Sequence, residues 1–360
     1  MDRTRGLVRT TLVAAGAWAA SSCAPGGFPD LALVTSVRIL ASAADTPYAK
    51  PGDVVNVHVL AFDGRASPTR PMTVYWLPFV CENPANDAYY ACFQQLAQRG
   101  GGDAGATAGR PPALAGLRPG VDLTPFLPSG PSYAFTMPPD AVPAVPRPGA
   151  STPYGLAIVF NIACAGHLEL LPVDPNDVNP QAVPVGCFDG GTQLGPDDYV
   201  FGFTRVYAYA SRTNENPVVD HVDVQGQTMA VQGSAPGYTS AGFSTAHCTA
   251  DRRENCPHVK IGPVVPPSSQ EQNPDDVGTD GVVRREQIWA DFYAAFGSHL
   301  VGFTSDARLL YDVVTGSVGG PDTTDDAFLP PNEPADGFIW IVVHDNRGGA
   351  SWVMVPVHVF

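Results

Sequence analysis

Chemistry at a serine would need the segment Gly242-Phe243-Ser244-Thr245-Ala246, which His247 follows directly. A serine lifted on a sharp turn, with an imidazole to take its proton, performs acyl transfer. That device works on a strand–turn–helix of an α/β sheet. Here the surroundings are a Ser/Gly-rich loop and a cysteine pair, and alanine replaces the closing glycine. Neighbours in sequence also do not make a triad, whose members must meet in space. The second candidates are the acid doublets Asp197-Asp198, Asp275-Asp276 and Asp325-Asp326, which could do glycosidase work if held across a cleft. Each doublet lies beside Pro, Gly or Thr, where aspartate caps backbone amides and stays solvated. The expectation is a non-catalytic protein, and the alternative is a secreted hydrolase using Ser244 and His247 or the doublets.

Metal is the next chemistry to weigh. Asp174, Asn176, Asp177 and Asn179, or Asp275, Asp276 and Asp280, put several oxygen donors into single loops, as calcium requires. Neither loop follows the EF-hand spacing, because no glutamate closes it. No cofactor is expected, with calcium at either loop, the first above all, as the one that would fit. His247-Cys248 and Cys256-Pro257-His258 offer two thiolates and two imidazoles, the donor set of a zinc site. Their spacer exceeds the roughly two to four residues usual between zinc cysteines, and an oxidising compartment would consume the thiols first. There is no Walker loop or dinucleotide fingerprint; Gly100 to Gly102 lack the following helix that phosphate binding uses.

The chain has seven cysteines, an odd number. Cys23 stands apart, in Ala20-Ser21-Ser22-Cys23, after Arg3, Arg5 and Arg9 and an uncharged apolar run of about eleven residues, the length of a secretory h-region. The four residues resemble a bacterial lipobox, with Ala20 where leucine is usual, and make Cys23 the lipidation candidate. Cleavage at Ala17-Trp18-Ala19 is the rival, and would release a soluble protein. Lipidation also accounts for the odd cysteine. Ala24 is not the aspartate of an inner-membrane retention signal, so the expected address is the outer membrane or cell surface.

The other six cysteines fall into local couples: Cys81 with Cys92, Cys164 with Cys187 and Cys248 with Cys256. In an exported chain such couples oxidise. Spacing alone does not fix connectivity. Each local closure would contribute about 2 to 3 kcal/mol in the chain-entropy model.

No later segment approaches the roughly eighteen apolar residues of a membrane span. The formal charge of −15 repels phosphate backbones, so nucleic acid is not an expected partner, and it gives no pull toward anionic lipid. With 37 Gly and 37 Pro but 44% hydrophobic residues, the chain suits many short strands joined by tight turns.

These strands can be read along the chain. In VVNVHVLAF, Val55, Val57, Val59 and Ala61 share one face, while Val54, Asn56, His58 and Leu60 share the wetter one. MTVYWLPFV follows, with Trp76 as a core aromatic. Residues 98–132, rich in Gly, Ala and Pro, are expected as a long mobile loop. SYAFTM, YGLAIVFNIAC and YVFGFTRVYAYAS resume the strands. Thr213 to Pro217 is a polar hinge, after which VVDHVDVQG restarts the alternation. EQIWADFYAAFGSHL fits both periods, and strand is favoured because its neighbours are strands. GFIWIVVHD, the turn NRGG and SWVMVPVHVF form a terminal hairpin.

KPGDVVNVHVLAFDG with MTVYW, the junction NENPVVDHV, and the closing FIWIVVHDNRGGASWVMVPVHV resemble the tandem immunoglobulin-like domains of uncharacterised bacterial lipoproteins. The resemblance implies an all-β fold of two tandem immunoglobulin-like β-sandwich domains with long loop insertions. No cysteine pair is placed to bridge the sheets, which departs from the pattern. The expected organisation is a signal peptide at 1–22, a tether at 23–30, a first sandwich at 31–212, a hinge at 213–217 and a second sandwich at 218–360. The implied role is a lipid-anchored envelope protein whose loops meet an envelope protein or a glycan. Tyr89, Tyr90, Tyr154 and Tyr238 are the aromatics considered for stacking on sugars.

Overall fold

The computed structural model describes residues 31–360, apart from 67, 69, 94–119, 172–184, 251–254, 298, 306 and 320. Cys23, and the calcium candidates Asp174, Asn176, Asp177 and Asn179, lie outside the described residues.

The fold is nearly all β. Ten strands form its first part: β1 (Val37–Ala44), β2 (Tyr48–Ala49), β3 (Val54–Asp63), β4 (Thr73–Glu82), β5 (Ser132–Thr136), β6 (Gly155–Cys164), β7 (His167–Leu170), β8 (Val185–Asp189), β9 (Thr192–Gln193) and β10 (Tyr199–Ala208). They make one sheet of order β1-β3-β5, another of order β2-β10-β6-β4, and a small one of order β7-β8-β9. The alternation in β3 sets the packing: Val55, Val57 and Val59 are buried and Val54 is exposed. They meet Trp76, Val159, Val206 and Phe135 in a core to which the first two sheets both contribute. The Trp76 indole donates to the Gly130 carbonyl at 2.9 Å, so its one polar atom is satisfied.

β6 is buried along its whole length, because its other face carries a second core of Leu156, Ile158, Phe160 and Ile162. That face is roofed by part of the expected loop. Leu123 and Leu127 are buried there, and the Leu123 amide donates to the Leu168 carbonyl at 2.7 Å. The expectation for 98–132 is therefore corrected from 120 onward: two leucines close enough to share one face have an apolar sheet to cover.

Fourteen strands follow: β11 (His221–Val224), β12 (Gln227–Ser234), β13 (Gly237–Ser240), β14 (Phe243–Thr245), β15 (Val259–Val264), β16 (Gln272–Val277), β17 (Val283–Arg285), β18 (Ile288–Ala295), β19 (Gly302–Phe303), β20 (Ala307–Asp312), β21 (Gly316–Ser317), β22 (Asp326–Leu329), β23 (Ala335–Asp345) and β24 (Ala350–Val359). All but the pair β16-β17 join one curled sheet of order β19-β22-β15-β11-β12-β13-β24-β23-β18-β20-β21, with β14 added beside β24. The curl brings Val222, Ile261 and Phe328 against Phe292, Ile341 and Val355 in a single core. The ambiguous segment is strand β18, since Ile288, Ala290, Phe292 and Ala294 all enter that core. The terminal hairpin pairs from Ala335↔Val359 to His344↔Ala350.

The face of β3 expected to be wet is not wholly so. Leu60 and Phe62 pack with Leu40 against Trp340 of β23 and Met354 of β24, with Phe62 and Trp340 ring centroids 4.5 Å apart. Asn216, in the polar segment 213–217, is buried, donates to the Ala44 carbonyl at 2.7 Å and accepts from the Ala350 amide at 2.9 Å. One side chain thus bonds to strands on both sides of it.

Candidate functional site

Ser244 and His247 do not form the pair that the hydrolase alternative would use. The His247 Nδ1 lies 2.8 Å from the Phe360 carbonyl oxygen. Ser244, on β14, is instead in parallel register with His358 of β24, and His358 is in register with Asp336 of β23. The three share one face of the sheet and line an open depression of about 430 Å³. His358 Nδ1 is 2.7 Å from Asp336 Oδ1. Sequence reasoning missed both partners because pairing between distant strands leaves no local signature. The order Ser, His, Asp is that of a triad, but the His358 and Asp336 side chains are 60% and 84% exposed. Water screens such a pair, and nothing encloses the reacting centre.

All three local cysteine couples are disulfides: Cys81–Cys92, Cys164–Cys187 and Cys248–Cys256. Their thiols are consumed, which removes the zinc reading of His247, Cys248, Cys256 and His258. Among the described residues no group of three His, Cys, Asp or Glu could hold a metal ion. In the second calcium candidate, Asp276 is bonded to Arg212 and Arg347, and Asp280 to Arg284 at 2.8 Å.

The doublets are not uniformly solvated. Asp198 pairs with Arg65 at 2.6 Å. Asp326 is buried, a correction to the expectation. It accepts from the Thr304 hydroxyl at 2.6 Å, the Ser305 amide at 3.2 Å and the Arg308 guanidinium at 3.1 Å. Its carboxylate is fully used in tying β22 to the chain before β20.

A denser polar cluster sits beside the 213–217 segment. Arg347 reaches Glu286 at 3.1 Å and Asp276 at 2.9 Å, and Arg212 reaches Asp276 at 3.0 Å. The Asp345 carboxylate accepts from the Arg347 and Gly349 amides at 2.7 and 2.8 Å and from the Asn214 amide group at 3.1 Å. A side chain at Gly349 would place its Cβ 2.1 Å from that carboxylate, so the turn requires glycine. Burial pushes the Glu286 carboxyl up to about 7, aided by the Asp345 charge; burial also raises Asp345 and Glu271. A carboxyl withdrawn from water beside other carboxylates holds its proton more tightly than one in solvent.

This cluster holds the 345–349 turn against the first part of the fold. Between them lies a cleft of about 440 Å³, lined by Ser42, Tyr48, Phe203, Arg205, Tyr207 and Asn346 among others. Tyr48 and Tyr209 are buried with ring centroids 4.6 Å apart, and burial holds both phenols above their ordinary value. They form a neutral wall. Phe203 and Tyr207 are half-buried, and the Arg205 guanidinium lies 4.9 Å over the Phe203 ring. The aromatics considered from sequence do not line it. Tyr238 is buried, Tyr89 stacks on Phe203 at 4.8 Å, and the Tyr154 hydroxyl donates to Asp87. YVFGFTRVYAYAS does show a stripe at every second residue, and that was the available signal.

No protein-family model matches the chain, and no curated protein matches it.

Proposed function

We propose that this is a non-catalytic binding protein of the bacterial envelope, tethered by lipid at Cys23. Two immunoglobulin-like β-sandwiches would be its display frame. Supporting the frame are two facing sheets of three and four strands in the first part, the strand number of a constant-type domain. The short strands β2 and β13 also run parallel to the closing strands β10 and β24 of their parts. Supporting export are three disulfides in one chain.

The observation that carries a binding role is the cleft between the β10 edge and the 345–349 turn, where aromatic rings and polar groups converge on one concavity. The tether is tested by detergent phase separation of cells expressing the chain. The wild type is expected in the detergent phase and Cys23→Ala in the aqueous phase; wild type in the aqueous phase would remove the anchor from the reading. The hydrolase alternative now rests on Ser244 with His358 and Asp336. A fluorophosphonate probe is expected to leave the protein unlabelled, and labelling abolished by Ser244→Ala would replace the binding role with a catalytic one.

A further inference from the structure

The cleft's ligand can be narrowed from the groups that line it. Its floor is the outer edge of β10. The Tyr207 amide donates to the Pro47 carbonyl at 3.1 Å, away from β6. In an antiparallel ladder alternate residues share that direction, so Phe201, Phe203 and Arg205 also turn their N–H and C=O groups away from β6. β2 covers the edge only at Tyr207–Ala208. Among the described residues no strand pairs with the three upstream positions. The edge therefore offers unpaired backbone donors and acceptors at the base of an aromatic-walled cleft.

Above it stands a cation. Arg205 is exposed, and no described carboxylate lies within ion-pair distance of it, in a chain whose formal charge is −15. Arg347, on the opposite wall, is spent on Glu286 and Asp276. Asn346 is exposed on the rim, where its Oδ1 accepts from the Gln287 amide at 3.1 Å and its amide group remains to donate.

We propose that this cleft binds an acidic saccharide, with the sugar carboxylate on Arg205, a ring face on Tyr207, and hydroxyls on the β10 edge and Asn346. A sugar is dense in groups that both donate and accept, which an open strand edge matches. Aromatic rings take its C–H face, and a guanidinium fork takes a carboxylate in two parallel bonds. A cleft of about 440 Å³ suits one or two sugar rings. An extended peptide fits less well, because β2 stops a new strand at Tyr207. The inference rests on the binding reading above and names its ligand class.

The test is an array of defined oligosaccharides containing uronate or sialate, with matched neutral sugars. It uses the disulfide-intact chain and is followed by calorimetry on the best acidic sugar. Wild type is expected to bind the acidic sugar and to lose about tenfold or more in affinity for its neutral counterpart. Arg205→Ala, an exposed truncation, is expected to keep its melting temperature and to show the same loss, and Arg205→Lys to recover part of it. No acidic sugar binding up to ~5 mM would overturn the proposal, as would binding unchanged by Arg205→Ala. Capture of a displayed peptide that protects the Phe203 and Arg205 amides from exchange, with the sugars inert, would assign the cleft to peptides instead. That last outcome leaves the envelope-binding reading standing and removes only its saccharide.

Discussion

Glu286 decides how the polar cluster responds to change. It is fully buried against Arg347, and removing it takes one of two carboxylates from a buried guanidinium and the acceptor from the Glu271 amide. Glu286→Ala is expected to cost about 1 to 3 kcal/mol in denaturant unfolding. The pH dependence has a definite sign. A carboxyl whose value rises from 4.5 to about 7 on folding binds its proton more tightly in the native state. The resulting stabilisation is complete below pH 4.5 and is lost as pH rises through 7. Asp345 and Glu271 are shifted in the same direction. The melting temperature is therefore expected to fall between pH 5 and pH 8, and Glu286→Ala to flatten that fall; a rise over the interval would contradict the upward shift of the buried carboxyl. The cluster was not legible in sequence, where Asp276 reads as half of an acid doublet and Glu286 and Arg347 lie far from it in the chain. The burial of Asp326 was hidden for the same reason, since Thr304 and Arg308 reach it from β20 and the turn before it.

At the scale of elements the sequence was more informative, because period-two alternation is a local property. Val55, Val57 and Val59 show the inward face of β3 directly. Cys164 and Cys187 lie close enough in the chain that pairing them needs little loop closure. What stayed hidden is the second partner of each element. Leu60 and Phe62 look like an apolar interruption of a wet face until Trp340 covers them. Ser244 likewise comes into register with His358 only because β14 adds in parallel beside β24. Cys164–Cys187 joins the end of β6 to β8 through a core face. Replacing both cysteines by alanine is expected to lower stability by about 2 to 4 kcal/mol in chemical unfolding. The loss should exceed that for Cys248/Cys256, whose closed loop is shorter: the separations are 23 and 8 residues.

For the whole molecule, the question is how two separate cores behave as one body. One core spans residues between 37 and 208, another those between 219 and 359, and the small cluster of Leu40, Trp340, Leu60, Phe62 and Met354 lies between them. Residues 32–360 cluster as one compact unit. Trp340→Ala removes the largest ring of the joint and is expected to cost about 3 to 5 kcal/mol. Together with Asn216→Ala, which deletes both bonds of the linking side chain, it is expected to split a single calorimetric transition into two. A double variant that still unfolds in one step would show that the cores are coupled by other contacts. A stiff joint matters to function because the proposed cleft has one wall on each side of it, Tyr207 and Arg205 facing Asn346.

Arrival in an oxidising compartment and retention there by lipid are both tested by intact-mass analysis of the cell-derived protein. The expected mass is that of a chain starting at Cys23, increased by a diacylglyceryl group and reduced by the two hydrogens that each of three disulfides removes. A mature chain without acyl mass, or one whose remaining six cysteines still alkylate without prior reduction, would contradict it.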